Sequence, residues 1–169
     1  FINVNVSQLT SKRYAASVRN SITRNATPSV KLAGSRHRSK GRDTTHFSII
    51  DRQGNRVAAT LSVNYPFGSA FVSPGTGVLL NNEMDDFSIK PGVANAYGLV
   101  GNEANAIAPG KRPLSSMSPT FLETKDRVVV LGTPGGSRII SMVILAALEV
   151  SAGRGGAKEW VALKRYHHQ

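Results

Sequence analysis

Thr44 is the residue of this chain whose surroundings most invite chemistry. It stands in Asp43-Thr44-Thr45-His46-Phe47-Ser48, where a basic polar arm gives way to an alternating apolar pattern (Phe47, Ile49, then Val57, Ala59, Leu61, Val63). A threonine hydroxyl is a weak nucleophile that needs a base. If the chain were cut before Thr44, the new α-amine, with an ordinary pKa of about 7.7–8.0, would be that base within the same residue. No histidine triad is then required, which suits a chain with no cysteine and no histidine between His46 and His167. Read alone, Thr44-Thr45 is also just a β-prone pair at a strand start.

Three further motifs supply what such a nucleophile needs. Pro134-Gly135-Gly136-Ser137 sits between an apolar strand and a helix. Two glycines there let backbone N–H groups approach an oxyanion at the positive end of a helix. The spacing and lysine of a Walker phosphate loop are missing. Asn81-Asn82-Glu83-Met84-Asp85-Asp86-Phe87 packs three carboxylates into four residues, enough to attract a metal or an ammonium, without the EF-hand spacing. Lys111-Arg112-Pro113-Leu114-Ser115-Ser116-Met117-Ser118-Pro119 joins cations to hydroxyls and suits a carboxylate. Each also has a plain reading, as a strand–helix turn, an acidic turn and a polar loop. Together, an ammonium site and a carboxylate site fit the two charged ends of an α-amino acid.

The elements that must position these motifs follow from periodicity. Tyr14, Ala15, Val18 and Ile22 share one helical face and predict a helix over Ser11–Ile22, with Ser11 as N-cap. Asn25–Asp43, with Pro28, Gly34 and Gly41, reads as an exposed loop of the kind proteases cut. His46–Asp51 and Arg56–Asn64 form a hairpin around Arg52-Gln53-Gly54-Asn55. A short strand is expected near Gly77–Leu80, and Lys90–Pro109 reads as a loop. Pro119–Glu123 and Arg127–Gly132 form a second hairpin, followed by a buried helix Arg138–Val150 and another helix Ala157–Lys164. Two hairpins and an apolar helix imply an α+β fold with a helix packed on a sheet.

Composition bounds the rest. The 169 residues suit one domain, and absent cysteines exclude disulfides, thiolate nucleophiles and cysteine metal sites. Net charge is +11, with nine Lys/Arg against Asp43 alone in residues 1–43. That arm lacks interleaved aromatics, so it reads as a solvated linker rather than a nucleic-acid surface. No apolar run reaches the ~18 residues of a membrane span.

The motifs Thr44–Ser48, Asn81–Phe87, Lys90-Pro91-Gly92-Val93, Tyr97-Gly98-Leu99-Val100-Gly101, Lys111–Thr120 and Gly132–Ile140 occur in one order. Together they resemble bacterial γ-glutamyltransferases, N-terminal nucleophile hydrolases built as an αββα sandwich. The resemblance covers about Ser11–Gln169. It implies that residues 1–43 end a large subunit and residues 44–169 form the core of a small one, with the large subunit of the same precursor as partner. It implies self-cleavage between Asp43 and Thr44, then attack of Thr44 on the γ-carbonyl of glutathione or another γ-glutamyl compound. The acyl group then passes to water or to an amino-acid or peptide acceptor.

By the same resemblance, Gly135 and Gly136 supply oxyanion N–H groups, and Ser115 and Ser116 bind the substrate α-carboxylate. Asn64, Glu83 and Asp86 hold its α-ammonium. Tyr97 lies on a lid, Lys90–Gly101. Thr45 and His46 support the nucleophile, and Ser62 stands where many members carry a second threonine beside it. No metal or cofactor is implied, and the location implied is periplasmic or secreted. The family's carboxylate-clamping arginine lies upstream, and after Tyr166-His167-His168-Gln169 its small subunit continues, so the chain reads as a partial sandwich. Two alternatives stand beside this: a cephalosporin acylase of the same superfamily, and an unprocessed, inactive binding or assembly piece.

Overall fold

The structure is a computed structural model that describes residues 3–25, 44–95 and 98–167. Asp43, Tyr97 and most of the predicted loop at 25–43 therefore lie outside the described residues. Helix α1 (Val6–Leu9), absent from the sequence reading, starts where Asn5 Oδ1 accepts the Gln8 N–H at 3.0 Å. Helix α2 (Lys12–Ser21) matches the prediction, with Ser11 Oγ accepting the Tyr14 N–H at 3.1 Å. Nothing among the described residues buries its Tyr14–Val18 face.

Strands β1 (Thr44–Ile50) and β2 (Arg56–Ser62) pair antiparallel, from Thr44 opposite Ser62 to Ile50 opposite Arg56. Their turn is locally specified. Asp51 Oδ1 accepts the N–H groups of Gln53 (2.9 Å) and Asn55 (2.8 Å), and Gly54 takes φ 86°. Alternation gives the hairpin two unlike faces. Thr44, Ser62, His46 and Thr60 share the half-buried one, where the His46 ring lies against Gly132. Phe47, Ile49, Val57 and Leu61 share the other, which is open: Phe47 is 44% and Ile49 51% exposed.

Strands β3 (Thr120–Glu123) and β4 (Val128–Leu131) form the second hairpin, Thr120 opposite Leu131. β4 packs against β1, β2 and helix α3 (Ile139–Ser151), and an Arg56–Glu123 ion pair joins the two hairpins. Helix α3 is buried along Ile139, Val143 and Val150 but open along Ile140, Ile144 and Leu148. The apolar run predicts a buried helix; among the described residues only one side of it has a layer to pack on. Helix α4 (Ala157–Val161) ends short of the predicted Lys164, and its Trp160 Nε1–H donates to the Arg154 carbonyl at 2.7 Å. No described helix is long and apolar enough to cross a membrane.

Between the hairpins the chain is held by turns and single bridges. The strand expected near Gly77–Leu80 is one antiparallel bridge, Val72 to Leu79. Short 3-10 turns occupy Glu83–Asp86 and Glu103–Asn105. Within the predicted loop Lys90–Pro109, the Gly92 N–H donates to the Gly101 carbonyl at 2.9 Å.

Candidate active site

Thr44 opens β1 directly opposite the last residue of β2, Ser62. Its Oγ1–H donates to Ser62 Oγ at 3.0 Å, and the same serine oxygen accepts the Asn64 N–H at 2.9 Å. Asn64 leaves the strand at φ 74°, a left-handed conformation asparagine tolerates better than most residues, and it is only 5% exposed. Its Nδ2 donates to the Asn82 carbonyl at 3.2 Å, while Asn82 Oδ1 accepts the Tyr65 N–H at 3.2 Å. The end of β2 is thereby stitched to the acidic turn.

That turn concentrates negative charge. Tyr65 donates its hydroxyl to Asp85 Oδ2 at 2.6 Å. Asp86 is raised to about 7, first by burial, then by its hydrogen bond with Glu83 and the charges of Glu83 and Asp85. Glu83 Oε1 is buried with no hydrogen-bond partner among the described residues. A buried acceptor beside a half-protonated carboxyl is a place for a cationic donor. No group of three or more His, Asp or Glu among the described residues is arranged to hold a metal.

Across the cavity, Gly135 (φ 147°) and Gly136 (φ 60°) take consecutive conformations that a side chain would strain, and they lead through a 3-10 turn into α3. A Cβ on Gly135 would press on the Met142 side chain. Ser116 Oγ–H donates to the Gly136 carbonyl at 3.0 Å, and Ser115 Oγ accepts the Met117 N–H at 3.1 Å. The serine pair and the glycine loop are thus one connected unit.

One cavity of about 500 Å³ is lined by Thr44, Ser62, Asn64, Glu83, Asp86, Ser115, Ser116 and Gly136. Among the described oxyanion and substrate-binding candidates, only Gly135 is not part of its wall; it lies one residue behind, against Met142. Asp43 and Tyr97 lie outside the described residues. Thr45 is exposed and pairs with Leu61, on the open face of the hairpin. His46 lies on β1 two residues beyond Thr44, with Nδ1 2.8 Å from Thr60 Oγ1 and Nε2 3.1 Å from Ser48 Oγ. Burial lowers its pKa, which favours the neutral ring, and the ring fills the space between β1 and Gly132 at the foot of the glycine loop.

The Gamma-glutamyltranspeptidase family model matches residues 1–169. The chain belongs to the γ-glutamyltranspeptidase family. It is 45% identical over 172 residues to the glutathione hydrolase proenzyme of Escherichia coli, covering 100% of this chain and 30% of that protein. It is 53% identical over 127 residues to the glutathione hydrolase proenzyme of Pseudomonas aeruginosa, covering 75% of this chain and 23% of the other. A solved structure of a Helicobacter pylori γ-glutamyltranspeptidase T380A mutant superposes with TM-score 0.69 at 52% identity, over 74% of this chain and 68% of that one. The fold is therefore that of γ-glutamyltranspeptidases, enzymes of the N-terminal nucleophile hydrolase superfamily. The chain spans about 30% of the length of the Escherichia coli relative.

Three residues that hold the candidate site together have no role of their own in the sequence analysis: Tyr65, Asn82 and Gly132. Tyr65 shows no signal beyond a phenol beside a turn. Asn82 reads only as part of an acidic stretch. Gly132 does carry a signal, as a glycine directly after an apolar strand, where close backbone approach is common.

Proposed function

We propose that this chain carries the nucleophile and most of the donor site of a γ-glutamyltransferase that matures by cutting itself between Asp43 and Thr44. Residues 1–43 then end a large subunit, and residues 44–169 form the core of a small subunit that works with it. In maturation, Thr44 Oγ1 attacks the Asp43 carbonyl carbon. The C–N bond breaks, the nitrogen takes up the hydroxyl proton to become the new α-amine, and water hydrolyses the resulting ester. In turnover that amine takes the hydroxyl proton as Oγ1 attacks the γ-carbonyl of glutathione or a related γ-glutamyl compound. Gly135 and Gly136 N–H groups stabilise the oxyanion. The amine returns the proton to the leaving amine, and water or an amino-acid or peptide acceptor takes the acyl group.

The observation that carries this reading is the single cavity joining Thr44 to Gly136, Ser115, Ser116, Glu83 and Asp86. Asn64, Glu83 and Asp86 receive the donor's α-ammonium, and Ser115 and Ser116 its α-carboxylate. Ser62 holds the Thr44 hydroxyl. The acidic turn favours a donor with an α-amine over the glutaryl group of a cephalosporin acylase substrate. Tyr97 is assigned to the lid over this cavity by family resemblance, as is a periplasmic or secreted location, which cell fractionation would check.

The test uses the full-length proenzyme. Intact mass should reveal a break at Asp43–Thr44, and the protein should turn over γ-glutamyl-p-nitroanilide; Thr44→Ala should abolish both. Persistent turnover in that variant would remove Thr44 as the nucleophile.

A further inference from the structure

Asn105 occupies a junction that neither the nucleophile nor the candidate binding groups explain. Its Nδ2–H donates to the Asp86 carbonyl at 2.7 Å, and its Oδ1 accepts the Leu114 N–H at 3.0 Å. Its own carbonyl accepts the Ser88 N–H at 2.9 Å. The Asp86 carbonyl offers only an acceptor here and the Leu114 N–H only a donor, so turning the amide over would lose both bonds. The orientation is therefore fixed. Lys111 Nζ adds a second tie by donating to the Ala106 carbonyl at 2.9 Å.

The two residues bridged by this amide have distinct places in the cavity. Asp86 belongs to the carboxylate turn, and Leu114 directly precedes Ser115 and Ser116. We propose that Asn105 is a positioning residue that sets the span between the Glu83/Asp86 pair and the Ser115/Ser116 pair, and so selects donors carrying both ends of an α-amino acid. This rests on the functional reading above. The physical reason is that the ammonium and carboxylate of an α-amino acid sit on one carbon, so their separation cannot adapt to the site. A site gripping both must hold its own separation fixed, to within about 0.5 Å. A donor gripped at one end places no such demand.

The test compares Asn105→Ala and Asn105→Asp in the full proenzyme on three p-nitroanilides: γ-glutamyl, glutaryl (no α-amine) and 4-aminobutanoyl (no α-carboxylate). Each lost bond is a factor of roughly two to ten. Asn105→Ala should lower kcat/KM for the γ-glutamyl donor by about ten-fold, mainly through KM, and change the two one-ended donors by less than about two-fold. Asn105→Asp keeps the acceptor for Leu114 but sets an oxygen against the Asp86 carbonyl where the donor was, so the span opens at that end. It should lower kcat/KM for the γ-glutamyl donor by about two- to five-fold, again sparing the one-ended donors, and it decides the question if Asn105→Ala fails to fold. A parallel loss on all three donors, or no loss on the γ-glutamyl donor, overturns the proposal. A wild-type protein inert to all three donors would instead sink the functional reading on which the proposal rests.

Discussion

Asp86 gives the sharpest pH prediction. Burial, the Glu83 hydrogen bond and the Glu83 and Asp85 charges raise its carboxyl to about 7. Its neighbour Asp85 is held by the Tyr65 hydroxyl, and Lys90 shares the cavity. An ammonium ligand needs Asp86 ionised, and the ionised fraction rises from about one tenth at pH 6 to about three quarters at pH 7.5. KM for γ-glutamyl-p-nitroanilide should therefore fall about eight-fold across that window, which ends below the ordinary titration of an α-amine at about 7.7–8.0. On the proposed cut at Asp43–Thr44, the Thr44 amine would titrate later and appear in kcat, so the two limbs would separate. Asp86→Asn should raise KM by a factor equivalent to about 1.5–3 kcal/mol, the usual worth of a charge-assisted hydrogen bond, and flatten its pH dependence. Steady-state kinetics on the full proenzyme at constant ionic strength would check this. A flat wild-type KM between pH 6 and 7.5, or a slope that survives in Asp86→Asn, would refute the reasoning. Folding responds with the opposite sign. Between 3.8 and about 7 the folded carboxyl keeps a proton that the unfolded one has lost, so the Asp86 contribution to stability falls as pH rises through that range.

Two further outcomes are expected. Ser62→Ala removes the acceptor for both the Thr44 hydroxyl and the Asn64 N–H; kcat should drop about ten-fold, with Ser62→Thr restoring most of it in the same p-nitroanilide assay. Gly132→Ala drives a methyl into the His46 ring and should cost about 1–3 kcal/mol of stability, read as a lower Tm, which His46→Ala/Gly132→Ala recovers.

The parts legible in the sequence are those fixed by neighbours along the chain. Asp51, Gly54 and Asn55 close the first hairpin by themselves, and Ser11 caps α2 with its own side chain. The order of motifs also groups the residues that prove to share the cavity: Thr44, Glu83, Asp86, Ser115, Ser116 and Gly136. What stays hidden depends on partners far away in sequence. The left-handed turn at Asn64 is held by Asn82, eighteen positions on, and Asn105 reaches nineteen back to Asp86. In α3 the periodicity shows an apolar helix but not which side finds a layer. Ile140 and Ile144 are as apolar as Ile139 and Val143, yet only the latter two are buried.

The first hairpin carries two unlike surfaces back to back, and this governs how the stretch can vary. Along β1 and β2 one residue answers to chemistry and the next to an apolar surface, in strict alternation over much of the length. Tolerance to substitution should form a comb. Thr44, His46 and Thr60 admit little beyond themselves and Ser62 admits threonine, while Phe47, Ile49, Val57 and Leu61, on the open face, exchange more freely. One residue inserted within a strand would invert the comb, turning the Thr44 hydroxyl outward and an apolar side chain into the cavity. Length in this segment is therefore under tighter constraint than identity at half of its positions.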